Sequence, residues 1–303
     1  MKLNGHTHLE LDYMRNMCPK QPMSFHKWMK WMVIENRKNR AIPKFRKLII
    51  KGIESSIDQL VSDGTTKIGD VSQLGLSYDV LKLSGLSGVV FLEVIGLQES
   101  RWKETFDFVK TKVYQELNAN GKIKIGIFVH ALYSTHPWAV WECYKLAKET
   151  GIPISIHVLE SPDEARALNR RNCDLLDLVK ELAGMPPPEL NITPLQSLDR
   201  LGILKLNPLL VHMTNATNDD FELVAKNNAK IVHCPRSNFL LKCGRFRLEK
   251  ALALNIPVFL GTDSLASSPS LDVAEECSFA IDIHRGKVDG HVIEKLACSS
   301  FFP

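Results

Sequence analysis

The chain has 303 residues, 45% hydrophobic and 24% charged, which is ordinary for a globular fold with a sizeable core. One α/β barrel takes about 250 residues, so a single domain is expected over the whole chain. A formal net charge of +4, from 38 basic and 34 acidic residues, is too small to argue for a nucleic-acid partner.

Short apolar runs alternate with longer stretches of helical period. Strands are predicted at Met1–Gly5, Lys67–Val71, Val89–Ile95, Ile123–Val129, Ile154–His157, Pro208–Val211, Lys230–His233 and Val258–Leu260. Between them the spacing predicts helices at Lys44–Asp63, Arg101–Asn118, Pro137–Thr150, Asp163–Ala183, Asp219–Asn227 and Leu248–Leu254. Strand–helix alternation implies parallel strands with right-handed crossovers, and eight units favour a closed (β/α)8 barrel over an open sheet. No GxG pair occurs, which removes the dinucleotide fingerprint. Met185-Pro-Pro-Pro188 reads as a stiff loop, not a domain boundary. Basic residues cluster over Lys27–Arg46, with Trp28 and Trp31 among them. The spacing Phe25, Trp28, Met29, Met32, Val33 is helical, so one buried face with solvated lysines opposite is expected, not a stacking platform for bases.

Seven cysteines, with no CxxC pair and an odd count, suggest neither a zinc ribbon nor a disulfide framework, and reduced thiols in a cytoplasm are expected. No apolar run approaches the roughly 18 residues of a membrane helix. The opening MKLNGHTH lacks the charged and apolar regions of a signal peptide.

Polar residues recur where the strands end. His6 and His8 stand two apart at the first strand, so both rings face one side and can converge on one ion. His157 ends the fifth strand, His212 the sixth, and Asp263 lies just past the eighth in Leu260-Gly-Thr-Asp263. Catalytic residues of parallel barrels collect at these C-terminal strand ends, and four such polar residues after apolar runs are hard to explain as core packing. Glu160, three residues beyond His157, matches neither HExxH nor the HxE…PCxxC pattern. A carboxylate just past a ligand can shuttle a proton without ligating.

His6-Thr-His8, His157-Val-Leu-Glu160, His212 and Gly261-Thr-Asp263-Ser264 together resemble the amidohydrolase superfamily, in its single-metal deaminase and chlorohydrolase branch. The stretches Asn4–Glu10, Gly64–Asp70, His233–Asn238 and Leu260–Ser267 extend the resemblance, which runs from about Asn4 to Asp272 and points to the aminodeoxyfutalosine deaminases of menaquinone biosynthesis. The resemblance implies that His6, His8, His157 and Asp263 bind one divalent metal ion, zinc or else iron. His212 would hydrogen-bond the attacking hydroxide, and Glu160 would carry a proton to a ring nitrogen, with Asp263 accepting one from water. It also implies substrate contacts from His130, in His130-Ala-Leu-Tyr-Ser134, and from Arg236, Asn238 and Glu93. Two-metal relatives commonly carry a modified lysine at the end of strand four; Val129-His130 stand there and Lys124 lies at the other end, which favours one ion.

Two departures accompany the resemblance. Relatives usually add a small β-sandwich from segments flanking the barrel, yet only five residues precede His6 and the sequence given ends at Phe301-Phe302-Pro303, so a barrel without that sandwich is expected. Val129 and Leu132 flank His130-Ala131 where relatives often have prolines, which weakens the substrate assignment. The leading expectation is hydrolytic deamination of an aminated purine-nucleoside-like heterocycle. The alternatives are hydrolysis of a cyclic amide or chlorotriazine, and a catalytically impaired barrel serving as a binding scaffold. A small heterocyclic substrate and a homodimer are the partners expected, with neither nucleic acid nor membrane.

Overall fold

The structure, a computed structural model, describes residues 2–40 and 42–298. Met1 of the first predicted strand and the closing Phe301-Phe302-Pro303 lie outside the described residues.

Eight strands form one sheet in sequence order, each parallel to the next. They are β1 (Lys2–Thr7), β2 (Thr65–Ser72), β3 (Ser87–Val94), β4 (Ile123–Val129), β5 (Ile154–Val158), β6 (Leu209–His212), β7 (Lys230–His233) and β8 (Val258–Leu260). Helices between the strands cover the outside, giving the (β/α)8 barrel that alternation implies. Both strand faces are buried, so the runs are apolar throughout. In β3, Val89 and Phe91 point inward to a core shared with Leu3, Phe128, Val211, Val232 and Phe259, while Val90 and Leu92 pack outward beneath the helices. Gly126 makes room for this inner layer, because a Cβ there would stand 2.6 Å from the Phe91 ring.

Closure depends on the turn after β8. Asp263 N–H donates to the His6 carbonyl at 3.0 Å, and Thr262 N–H donates to Asn4 Oδ1 at 3.1 Å. A Cβ on Gly261 would sit 2.8 Å from both the nitrogen and the Cβ of His6, so only glycine lets the last strand approach the first this closely. The seam of the barrel therefore runs directly under two of the expected metal ligands.

Some elements differ from expectation. His6 lies within β1, not after it, because Thr7 is bridged to Asp70 and Asp263. The stretch expected as one helix over Asp163–Ala183 is two, Glu164–Leu168 and Asp174–Ala183, parted at Arg170, whose φ of 54° no α-helix accepts. Short helices at Leu76–Leu81, Pro194–Arg200, Pro235–Leu240 and Gly290–Leu296, and a longer one at Val273–Ile283, add to those predicted. The helix Phe25–Arg40 buries Phe25, Trp28 and Met29 with Lys27 and Lys30 exposed opposite, and Trp28 Nε1–H donates to the Ala266 carbonyl at 2.9 Å. Among the described residues, no helix is long and apolar enough to cross a membrane.

Candidate metal centre and catalytic cavity

The C-terminal ends of the strands bring His8, His157, His212, Glu160 and Asp263 together at the floor of a cavity of about 500 Å³, with His6 buried just beneath them. The volume falls in the range of small-molecule sites. The Nε2 atoms of His6 and His8 lie 3.2 and 3.3 Å from Nε2 of His157. Asp263 Oδ1 stands 3.8 Å from His6 Nε2 and 3.6 Å from His8 Nε2.

These four donors suit a metal on their own chemistry. Burial above all, with the neighbouring rings, pushes His6 and His157 well below the ordinary imidazole value, and burial lowers His8 too, so all three rings are neutral. Each neutral ring has one lone pair. The Nε2 of His157 faces two other Nε2 atoms at once, and a single proton can bridge only one of those contacts. One cation among them satisfies all three, and ligands about 2.0–2.1 Å from a tetrahedral ion would stand roughly 3.3 Å apart, close to the spacing found here. Burial raises the Asp263 carboxyl, but His8, His6, His212 and the Ser237 hydroxyl outweigh it and hold the group down at about 2, ionised and ready to ligate.

The support is specific. Ser237 and Ser267 hydroxyls donate to Asp263 Oδ2 at 2.6 and 2.9 Å, which leaves Oδ1 for the histidines. Asp70 Oδ1 accepts from Thr7 Oγ1 at 2.7 Å and from Leu9 N–H at 2.9 Å, pinning the chain on both sides of His8. Glu10 accepts the N–H groups of Gln73, Leu74 and Leu76 at 2.8–2.9 Å, capping the helix Leu76–Leu81 from the first loop. His212 and Asp263 have φ of 76° and 61°, a left-handed backbone that costs roughly 1–3 kcal/mol in a non-glycine residue and concentrates at functional sites.

Glu160 Oε1 lies 3.4 Å from His212 Nε2. Burial first, then the carboxylates of Asp263 and Glu164, pushes Glu160 well above the usual carboxyl range, which favours its protonated form. His130 lines the cavity with Nδ1 2.6 Å from Ser134 Oγ and its ring 5.4 Å from that of His157. Glu93 also lines it, held by Gln73 Nε2 at 2.7 Å. The helix Phe25–Arg40 supplies an apolar wall through Phe25, Trp28, Met29 and Met32.

Arg236 and Asn238, expected at the mouth, stand elsewhere. Arg236 donates to Glu276 Oε2 at 2.5 Å, to Glu275 Oε2 at 2.9 Å and to the Ser270 carbonyl at 3.0 Å, so it ties the helix Pro235–Leu240 to Val273–Ile283 and does not line the cavity. Asn238 lies behind His212, its side-chain amide 2.9 Å from Nδ1. The stretch His233–Asn238 thus steadies the centre from outside. Sequence reasoning missed Ser237, Ser267, Asp70 and Glu10 as supports, although Ser237, Ser267, Asp70 and Glu10 all fall inside the four stretches that carried the resemblance.

The model of the amidohydrolase family matches residues 3–300, nearly the whole chain. The chain belongs to the amidohydrolase family. Members bind a divalent metal ion and hydrolyse carbon–nitrogen bonds, so this amidohydrolase is a metal-dependent hydrolase. It is 30% identical over 308 residues to the aminodeoxyfutalosine deaminase of Deinococcus radiodurans, covering 97% of this chain and 70% of that one. It is 28% identical to the 5-methylthioadenosine/S-adenosylhomocysteine deaminase of Thermococcus sibiricus, over 93% of this chain and 62% of the relative. Among solved structures it is similar to an adenosine deaminase from Xanthomonas campestris with bound zinc, at a TM-score of 0.78 and 21% identity, covering 98% of this chain and 64% of that one.

Proposed function

We propose that this amidohydrolase removes the exocyclic amino group of an adenosine-like nucleoside by hydrolysis, with His6, His8, His157 and Asp263 holding one zinc ion. The observation that carries the reading is a buried carboxyl, Glu160, 3.4 Å from His212, beside the buried His6, His8 and His157 rings and the Asp263 carboxylate, at a cavity of nucleoside size. The relatives named above, an aminodeoxyfutalosine deaminase and a methylthioadenosine/adenosylhomocysteine deaminase, support the substrate class. Three nitrogens and one oxygen suit zinc, and the similar adenosine deaminase structure carries that metal.

The ion, when bound, supplies a Lewis acid that makes water nucleophilic near neutral pH. The protein does the rest. Glu160 gives its proton to the ring nitrogen next to the carbon under attack, so that carbon accepts the water oxygen without a full negative charge on the ring. Asp263, already ionised, takes a proton from the water. His212 hydrogen-bonds the incoming oxygen, and the leaving amino group departs as ammonia once the protons from Glu160 and the water have been redistributed. Water and the amine give the ring carbonyl and ammonia, with no other reactant. The apolar wall from Phe25, Trp28 and Met29 excludes bulk water, and His130 and Glu93 face the cavity where they can meet the nucleoside.

Metal analysis joined to ammonia release from adenosine, methylthioadenosine, aminodeoxyfutalosine and aminated free bases tests this. The expected result is about one zinc per chain and release from at least one nucleoside. A metal-loaded protein that turns over only cyclic amides or chlorotriazines would replace this reading, and a folded protein that takes up no metal would end it.

A further inference from the structure

Behind His212, on the side away from the cavity, four side chains stand in line towards the surface. Asn238 is placed with Oδ1 2.9 Å from His212 Nδ1 and Nδ2 3.4 Å from His233 Nδ1. His233 Nε2 is 3.2 Å from His284 Nε2, and His284 Nδ1 is 3.0 Å from an Arg245 guanidinium nitrogen. Arg245 is only 30% exposed and is gripped by Glu249 at 2.6 and 2.8 Å. We propose that Arg245, acting through His284, His233 and Asn238, fixes the tautomer in which His212 carries its proton on Nε2.

The direction of the chain follows from its fixed end. A guanidinium only donates and stays protonated in proteins. His284 Nδ1 must therefore accept. Burial holds His284 at about 4 and His233 well below the ordinary value, so both rings are neutral, each with one donor and one acceptor. His284 then donates from Nε2 to Nε2 of His233, and His233 carries its proton on Nδ1, facing Asn238. The amide of Asn238 must meet that proton with its oxygen, which turns its NH2 to His212. Nδ1 of His212 accepts, and Nε2 bears the hydrogen.

An amide side chain fills the same outline either way round, and its hydrogen-bonding partners decide which is right. With the oxygen towards His212, as placed, every proton in the line reverses and His284 Nδ1–H is left facing an arginine N–H across 3.0 Å, so the proposed tautomer requires the amide turned over. Two donors at that distance repel. Only one of the two directions is satisfied throughout.

The consequence falls on the reaction. Nε2 of His212 points into the site, 3.4 Å from Glu160. In the proposed tautomer it offers a hydrogen bond to the attacking oxygen as charge develops there, whereas the opposite tautomer would present a lone pair. Asn238, His233, His284 and Arg245 are thus positioning residues. Their effect on rate rests on the deaminase reading above; the tautomer itself does not.

Long-range proton–nitrogen correlation spectra of the zinc-loaded, ¹⁵N-histidine-labelled protein test the assignment directly. His212 and His284 are expected as Nε2–H tautomers and His233 as Nδ1–H; a His212 found with its proton on Nδ1 overturns the proposal. Arg245→Met should let His212 sample both tautomers and lower kcat about tenfold, the lower end for loss of a group that orients a site residue, with KM unchanged. Arg245→Lys, which keeps a donor, should restore both readouts. A His212 signal unmoved by Arg245→Met would also overturn it. Expected tautomers in a protein that deaminates nothing would defeat the proposed reaction and leave this line of hydrogen bonds standing.

Discussion

Ser237 Oγ–H donates to Asp263 Oδ2 at 2.6 Å and, with Ser267, leaves Oδ1 as the oxygen that faces His6 and His8. Without it, only Ser267, at 2.9 Å, restrains that oxygen. Ser237→Ala is expected to weaken metal binding about tenfold, the lower end of what loss of a hydrogen bond to a ligand costs. Competition of the loaded protein against a chelator reads this out. Affinity equal to that of the parent would show that the serine does not orient the ligand.

Glu160 is buried 3.4 Å from His212, and its carboxyl is the proton carrier of the proposed chemistry. Glu160→Gln keeps the shape and removes the acid. Bound metal should be unchanged while kcat falls by about 10²–10⁴, the range for loss of a general acid. Metal content and single-turnover rates measured on the same preparation separate the two effects; full activity would contradict the proton-carrier role.

Gly261 lies at the seam where a Cβ would meet His6 at 2.8 Å. Gly261→Ala must push β8 away from β1, and overpacking of this kind costs about 1–3 kcal/mol. The melting temperature should fall by several degrees, and metal affinity should drop with it, because His6 and Asp263 lie on the two sides of that seam. A stable variant with normal metal binding would mean that the seam yields without cost.

Asp12 gives the protein a pH dependence away from the catalytic groups. Burial pushes its carboxyl from 3.8 up to about 8, against the pull of the Leu265 N–H that it accepts. The folded pKa exceeds the unfolded one, so the folded chain keeps a proton that the unfolded chain has released. The stability from this group is complete below the unfolded value and is lost as pH rises through about 8. Asp12→Asn keeps an acceptor for Leu265 and cannot ionise. The gap in melting temperature, variant minus parent, should therefore widen between pH 5 and pH 9, by roughly 2–4 °C for each kcal/mol. A gap constant across that range would show that Asp12 does not titrate there.

The strands were legible because parallel strands buried on both sides read as apolar runs, and Ile123–Val129, Lys230–His233 and Val258–Leu260 match to the residue. The helix Leu76–Leu81 escaped because its cap, Glu10, comes from a distant loop that the local sequence does not reveal. The residues gathered at the cavity floor stood out as polar groups ending apolar runs. Their supports carried no such mark. Asp70 is a polar residue inside a strand, and only the fold supplies the N–H of Leu9 that it accepts. Arg236 and Asn238 misled for a related reason: the turn of helix after Pro235 sends side chains two positions apart to different places, Arg236 to Glu276 and Asn238 to His212. Sequence names such residues without telling which way each one points.

The helix Phe25–Arg40 roofs the cavity, is anchored by Trp28 on Ala266, and contributes none of the donors or proton carriers below it. This wall of the cavity is therefore supplied by a stretch of chain separate from the strand ends that carry the cluster. Exchanging Met29 or Met32 for larger or smaller side chains reshapes what the protein admits while the groups that break the bond stay where they are. The shape of the cavity can therefore change along this helix without any change in the residues that ring its floor.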